Sequence, residues 1–344
     1  MKQYTDFALS KTTALLNIPS PSGCTESAIA WLQREFAELG FECSITAKGG
    51  LIVDLGGKAS VDGALLLEAH CDTLGAMVCE LKRNGRLRLT NIGGMNANNA
   101  EAENAIVITR DGKQYEGTLQ LINASIHVNG DYNTTARGWD SVELVPDEDV
   151  SDAQGLRNLG INVGDYVCFE PRTRVTAQGY IKSRFLDDKL SVGILLGLAA
   201  AIRDGKVVPK RRVWAHITVY EEVGHGGSAS VPPDVREAIS VDMGCVGEGL
   251  GCTERMVSIC AKDSRGPYNR EIVLKLIDAA ECCGAAYAVD VYPHYGSDVE
   301  ATLSAGHDLK HGLIGPGVYA SHGYERSHRD GVENTLKLLM AYIG

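Results

Sequence analysis

Four segments of this chain end an apolar run on an acidic or imidazole residue: Ala-His70-Cys-Asp72, Leu-Asp187-Asp188, Val-Tyr-Glu221-Glu222 and Val-Asp242. His322, late in the chain, adds a second imidazole. A pair of divalent metals ~3.5–4 Å apart needs a carboxylate bridging both, His and carboxylate ligands on each side, and a separate base for the shared water. Five ligands and one base meet that requirement, and these residues can supply them. Imidazole mixed with carboxylate suits zinc, cobalt or manganese better than calcium. The pattern points to a metal-dependent hydrolase.

Taken singly, each element has a blander reading. A Glu-Glu pair after a strand is usually a solvated turn. An Asp-Asp pair before a helix is usually a cap, and Asp188 is placed to cap a helix starting near Lys189. A histidine on an apolar strand is more often hydrogen-bonded in the core than bound to a metal. His216 and His127 read as structural or surface residues, and His225 as loop decoration near the site. Only the joint occurrence of the segments overturns these readings.

The elements that must position the residues follow from periodicity. Asp6–Leu16 reads as an amphipathic helix ending at the turn Pro19-Ser20-Pro21-Ser22-Gly23. Glu26–Leu39 reads as a second helix, with Ile29, Leu32, Phe36 and Leu39 on one face and Gly40 ending it. Leu51–Leu55 and Ala64–Ala69 are strand-like. The second is apolar except for Glu68, as in a strand buried on both faces, and delivers His70 at its C-terminal end. Further on, Leu190–Ile202 is a strong helix, while Val213–Tyr220 and Ala238–Val241 are strands leading into Glu221 and Asp242. Ligands at the carboxyl ends of strands in an open α/β sheet fall in one crevice.

Between Leu74 and Gln178 the texture changes to short alternating runs separated by Asn, Gly and Asp turns, such as Ala105–Thr109, Thr118–Ile122 and Tyr166–Phe169. This is the pattern of a small all-β unit, a barrel or sandwich. The expected architecture is an α/β domain, residues 1–73 and 179–344, with a mixed sheet flanked by helices and an inserted barrel-like β domain, residues 74–178.

Composition narrows the function. The 344 residues favour roughly two domains. With 44 acidic against 33 basic residues and a net charge of −11, the surface argues against nucleic acid. No segment reaches the ~20 apolar residues of a membrane helix, and the start lacks the order of a signal peptide. The ten cysteines have no Cys-x-x-Cys spacing and read as free thiols of a cytoplasmic protein. No Gly-x-Ser-x-Gly elbow is present, and Gly247-Glu-Gly249-Leu-Gly251 lacks the glycine spacing of a dinucleotide loop.

The four motifs in this order, with the turn Leu-Gly160-Ile-Asn-Val-Gly164-Asp165 in the β unit, resemble the TET-type and glutamyl aminopeptidases, a family that includes proteins labelled cellulase M. The resemblance spans nearly the whole chain and implies a zinc-exopeptidase-like fold. It assigns His70 and Asp242 to one metal, Glu222 to the other and Asp187 to the bridge, followed by a cis peptide bond. It makes Asp72 the residue that orients His70 and Glu221 the general base. His322 becomes the last ligand, with His328 in reserve. Lys189 stands where many relatives have Arg, a departure expected to bear on substrate preference.

The implied function is a cytoplasmic aminopeptidase that removes the N-terminal residue of short peptides through a hydroxide bridging two divalent metals, zinc first, cobalt or manganese as alternatives. The resemblance also implies a homo-oligomer, from dimer to dodecamer, built through the inserted β unit, which would restrict substrate access. The stretches Asp263-Ser264-Arg265-Gly266-Pro267-Tyr268, Ala305-Gly306-His307-Asp308 and His322–His328 resemble a branch found in osmoprotectant gene clusters. That raises the alternative of an amidase or deacylase acting on a small modified dipeptide. An inactive scaffold of the same fold is the alternative from another class.

Overall fold

The computed structural model describes residues 1–344. Its contacts divide the chain into two units, Met1–Asp72 with Arg172–Gly344, and Thr73–Pro171. The chain begins with helices α1 (Lys2–Leu16) and α2 (Glu26–Glu38), then strands β1 (Cys43–Ile45), β2 (Leu51–Asp54) and β3 (Ala64–His70).

The second unit follows, with β4 (Gly75–Leu81), β5 (Leu87–Ile92), the one-turn helix α3 (Ala97–Ala100), β6 (Asn104–Ile108), β7 (Gln114–Leu121), β8 (Val142–Pro146), the short helix α4 (Ala153–Leu159) and β9 (Tyr166–Phe169). Its strands close into a barrel in the order β4-β5-β8-β7-β6-β9, antiparallel throughout. Alternate residues such as Val78, Leu87, Leu89, Val107, Leu119 and Val167 are buried, the period-two pattern read from the sequence.

The first unit resumes with β10 (Arg174–Val175), β11 (Tyr180–Ser183), α5 (Leu186–Arg203), β12 (Val213–Thr218), β13 (Val235–Val241), β14 (Gly244–Val246) and β15 (Val257–Lys262). It ends with α6 (Arg270–Cys283), β16 (Tyr287–Val291), α7 (Asp298–Ser304), β17 (Lys310–Tyr319), β18 (Glu325–His328) and α8 (Arg329–Ile343). The sheet has twelve strands, with a main path β1-β2-β12-β3-β13-β17-β18-β11-β10. It is mixed: β3 is parallel to β12 and β13, while β2 runs antiparallel to β12.

Register explains how the site comes together. On β3, His70 lies opposite Thr218, the last residue of β12, and Glu68 lies opposite Ser240 of β13. The chain therefore leaves β3, β12 and β13 side by side at the same edge, carrying His70, then Glu221-Glu222, then Asp242. Every residue of β3 is buried, Glu68 included. The carboxylate of Glu68 meets His216 Nδ1 at 3.2 Å, so both polar side chains are satisfied within the core.

Helix α5 is buried almost all round, from Leu186 to Ala201. It packs between α1 and β3 because Gly193 and Gly197 leave room for the α1 backbone: a Cβ at Gly193 would collide with Thr12, and one at Gly197 would press on Ala8. Lys189, also buried, donates through Nζ to the carbonyls of Leu15 and Ile18, at 3.2 and 2.6 Å. It thus satisfies the carbonyl end of α1. Lys189 therefore braces one helix against another.

Candidate active site

Five carboxylates gather around His70, those of Asp187, Asp188 and Asp242 buried and those of Glu221 and Glu222 half-buried. Its Nε2 lies 3.1 Å from Asp187 Oδ1 and 3.7 Å from Glu221 Oε2. Asp188, Glu222 and Asp242 complete the cluster, and two groups of three, His70/Asp188/Asp242 and His70/Asp187/Glu222, keep their donor atoms within 4.8 Å of one another. His322 Nε2 stands 3.5 Å from Asp187 Oδ2 and 3.6 Å from Glu222 Oε2. His328 is elsewhere: its Nδ1 accepts the Asp330 N–H at the start of α8, and its Nε2 lies 2.8 Å from the Gln178 carbonyl.

Local structure fixes each side chain. The Asp187-Asp188 peptide bond is cis, and both residues are non-helical, so regular α5 begins at Lys189. The carboxylate of Asp188, expected to cap that helix, turns to the His70 N–H at 3.4 Å and joins the cluster. Asp72 Oδ1 is 3.5 Å from His70 Nδ1, whose nearer partner, at 2.9 Å, is the Asp72 backbone carbonyl. The carboxylate of Asp72 instead accepts from Glu221 N at 3.1 Å, Glu222 N at 3.3 Å and Ser22 Oγ at 2.5 Å. It therefore holds the turn that carries Glu221 and Glu222 as well as facing the imidazole.

Glu325 is a residue whose part the sequence did not disclose. It is buried, and its two oxygens accept from Asp187 N and His322 N, each at 3.1 Å. Asp187 and His322, distant in sequence, are thereby held by one carboxylate. A stretch such as His-Gly-Tyr-Glu gives no local sign of that role, because both bonds go to backbone N–H groups.

Electrostatics shows what the cluster lacks. Burial raises Glu221, Glu222 and Asp188 well above the usual carboxylate range, and neighbouring carboxylates add to the rise. Burial, then Asp187, carries Asp242 up to about 7. For Asp187 burial works upward, but hydrogen bonds from His322 and His70 outweigh it and hold the group low. For His70 burial opposes charging, yet Asp187 and Asp72 outweigh it and raise it well above the imidazole range. Glu222 Oε1 and Asp188 Oδ1 are buried without a hydrogen-bond partner. Five crowded carboxylates with orphaned oxygens need positive charge, and imidazole with carboxylate is a donor set that borderline divalent metals accept. The residues fit such ions.

These groups face a cavity of about 730 Å³. Asp187, Glu221, Glu222, Asp242 and His322 line one part of it, and Arg265, His294, Tyr295 and Glu300 another. His225, at its rim, stacks on Tyr220 with ring centroids 5.1 Å apart.

A family model described as M42 glutamyl aminopeptidase matches residues 49–338, spanning both units. The chain belongs to that family. YhfE of Bacillus subtilis (strain 168), named provisionally as an aminopeptidase, is 42% identical over 329 residues, 96% of this chain and 95% of its own length. The TET1 peptidase of Pyrococcus horikoshii, described as assembling into a tetrahedron or a large octahedral shell, superposes with a TM-score of 0.85 at 22% identity over 98% and 99% of the two chains. The aminopeptidase APDkam598 of Desulfurococcus kamchatkensis gives 0.86 at 20% identity over 99% and 95%. The mixed sheet with a closed six-stranded barrel is the fold of these peptidases. The chain is an aminopeptidase, a peptide-bond hydrolase, and membership favours this over an amide-metabolite hydrolase or a scaffold.

Proposed function

We propose that this aminopeptidase removes the N-terminal residue of short peptides with two divalent metal ions that His70, Asp187, Glu222, Asp242 and His322 would hold. When bound, such a pair supplies Lewis acidity toward the scissile carbonyl and lowers the pKa of the attacking water. Zinc is the first candidate, with cobalt and manganese compatible with the same donors.

Glu221 takes the proton from the attacking water at its carboxylate and delivers it to the departing amine. Glu221 Oε2 stands 3.7 Å from His70 Nε2, beside the residues that would hold the metals. Asp72 fixes the turn that carries Glu221 while facing His70 Nδ1. The acidic wall of the cavity attracts the free α-ammonium of a peptide, which explains exopeptidase action.

The observation that carries the reading is that two metal-competent groups share His70, with Glu221 beside it and Asp187, Glu222, Asp242 and His322 lining one cavity. The test pairs elemental analysis with hydrolysis of aminoacyl-p-nitroanilides in added zinc, cobalt or manganese. Two metals per chain and cleavage of free-amine substrates are expected; bound metal without such cleavage would refute it. Glu221→Gln should keep metal while lowering turnover by about 100-fold or more.

Assembly and location extend the reading. The chain forms a homo-oligomer, a reading supported by the shells that the Pyrococcus horikoshii peptidase can form, and its barrel unit is the proposed contact. It works in the cytoplasm, a placement consistent with ten free cysteines. No helix is long and apolar enough to cross a membrane.

A further inference from the structure

The turn Tyr220–Ser228 carries Glu221 and Glu222, and it is gripped from two sides by charged groups outside the metal-competent set. On one side Lys48, half-buried between β1 and β2, donates through Nζ to the carbonyls of His225 and Gly226 and to Ser228 Oγ, the last two at 3.1 Å. The same ammonium lies 5.8 Å from the Tyr220 ring centroid. On the other side Asp298, buried at the start of α7, accepts from Gly227 N through Oδ1 at 2.5 Å and from Thr218 Oγ1 through Oδ2. Thr302, one turn along α7, donates to the Gly227 carbonyl at 2.8 Å and to Glu68 Oε2 at 3.2 Å.

The fit between turn and α7 is close. A Cβ at Gly226 would strike Asp298 Oδ1 and crowd the Glu221 N–H, and one at Gly227 would strike the Asp298 carbonyl. Tyr220 and Gly224, at the two ends of the short 3-10 segment Glu221–Val223, both adopt left-handed backbone, with φ of 75° and 85°. Such a segment has few internal hydrogen bonds to fix it, so its position depends on what holds it from outside. Lys48 satisfies carbonyls that face one way and Asp298 an N–H that faces the other.

We propose that Lys48 and Asp298 are positioning residues that clamp this turn and so set where Glu221 holds its carboxylate, without bonding to the substrate. The proposal rests on Glu221 being the proton carrier. A misplacement of about 1 Å at a reacting group can cost about 100-fold in rate, so loosening the clamp acts on turnover. Glu222 rides on the same turn, but its N–H is held separately by Asp72, and Asp298, which borders the cavity, has both oxygens engaged by Gly227 and Thr218, so metal content and KM are expected to stay put.

The test measures kcat, KM and metal content for Lys48→Met, Lys48→Arg, Asp298→Ala, Asp298→Asn and Glu221→Gln in the metal-loaded full chain. Lys48→Met and Asp298→Ala should each lower kcat by about 10- to 100-fold, with KM within about twofold and metal content unchanged. Lys48→Arg and Asp298→Asn, which can renew the bonds to the turn, should recover most of kcat. Combined with Glu221→Gln, neither loss should add to that of Glu221→Gln alone, because residues acting as a unit are non-additive. Parental kcat in Lys48→Met and Asp298→Ala, alongside an inactive Glu221→Gln, overturns the clamp and leaves the role of Glu221 standing. Parental kcat in Glu221→Gln overturns that role and the clamp with it. Loss of metal in step with kcat also overturns the clamp, since the two residues would then serve the metal donors.

Discussion

Glu325 accepts N–H bonds from Asp187 and His322 while burial, then the charge of Asp187, carries its carboxyl up to about 8. With Asp242 at about 7, the metal-free site stores protons that the unfolded chain would release. A carboxyl raised on folding stabilises fully below its unfolded pKa, and the contribution is lost as pH climbs through the folded value. The stability of metal-free protein should therefore fall between about pH 5 and 8, followed as the melting temperature after chelation. Divalent metal competes with those protons, so loaded protein should resist the fall; a flat profile without metal would contradict the crowding argument. Histidines offer a second comparison at this scale. His322→Ala should shed metal, whereas His328→Ala should keep it and lose stability by about 1 kcal/mol through the lost bonds to Asp330 and Gln178. Metal content of the two variants decides, and the reverse pattern would move the last ligand.

Elements are held by close approach of backbone as much as by apolar area. Gly193→Val, which drives two methyls into α1 at Thr12, should cost about 1–3 kcal/mol in denaturant unfolding while activity per folded molecule is kept. Activity lost without a loss of stability would mean that α5 does more than support. Elements were also what the sequence disclosed best. Strand β3 was legible as an apolar run ending at His70, β12 and β13 as runs leading into acids, and the alternation after Leu74 as a small all-β unit, barrel or sandwich, whose strands end at Phe169 while β10 joins the main sheet. Those signals are local and periodic. What stayed hidden is non-local: Ser22 on Asp72, Glu325 on two backbone N–H groups, Lys48 and Asp298 on the turn at Gly226-Gly227. Apart from Ser22, whose hydroxyl meets a carboxylate 50 residues away, these side chains bond to backbone and leave no residue type at the other end to read. Asp188 misled for the same reason, since its place before a helix looks identical whether it caps or faces His70.

The whole molecule is one chain in two units, the barrel entered from the end of β3 and left before β10. Light scattering at micromolar concentration should find a multimer, and a monomer would remove assembly from the proposed function. The order of the chain has a further consequence, for synthesis. His70 and Asp72 are made first, then the whole barrel, then Asp187, Glu222 and Asp242, and His322 only near α8. A growing chain can close the barrel once β4 to β9 are made, but β3 must wait for β12 and β13 to flank it. On the ribosome the protein should therefore be a folded barrel tethered to an incomplete form of the proposed site, without the proposed activity toward the nascent peptides around it until His322 has emerged.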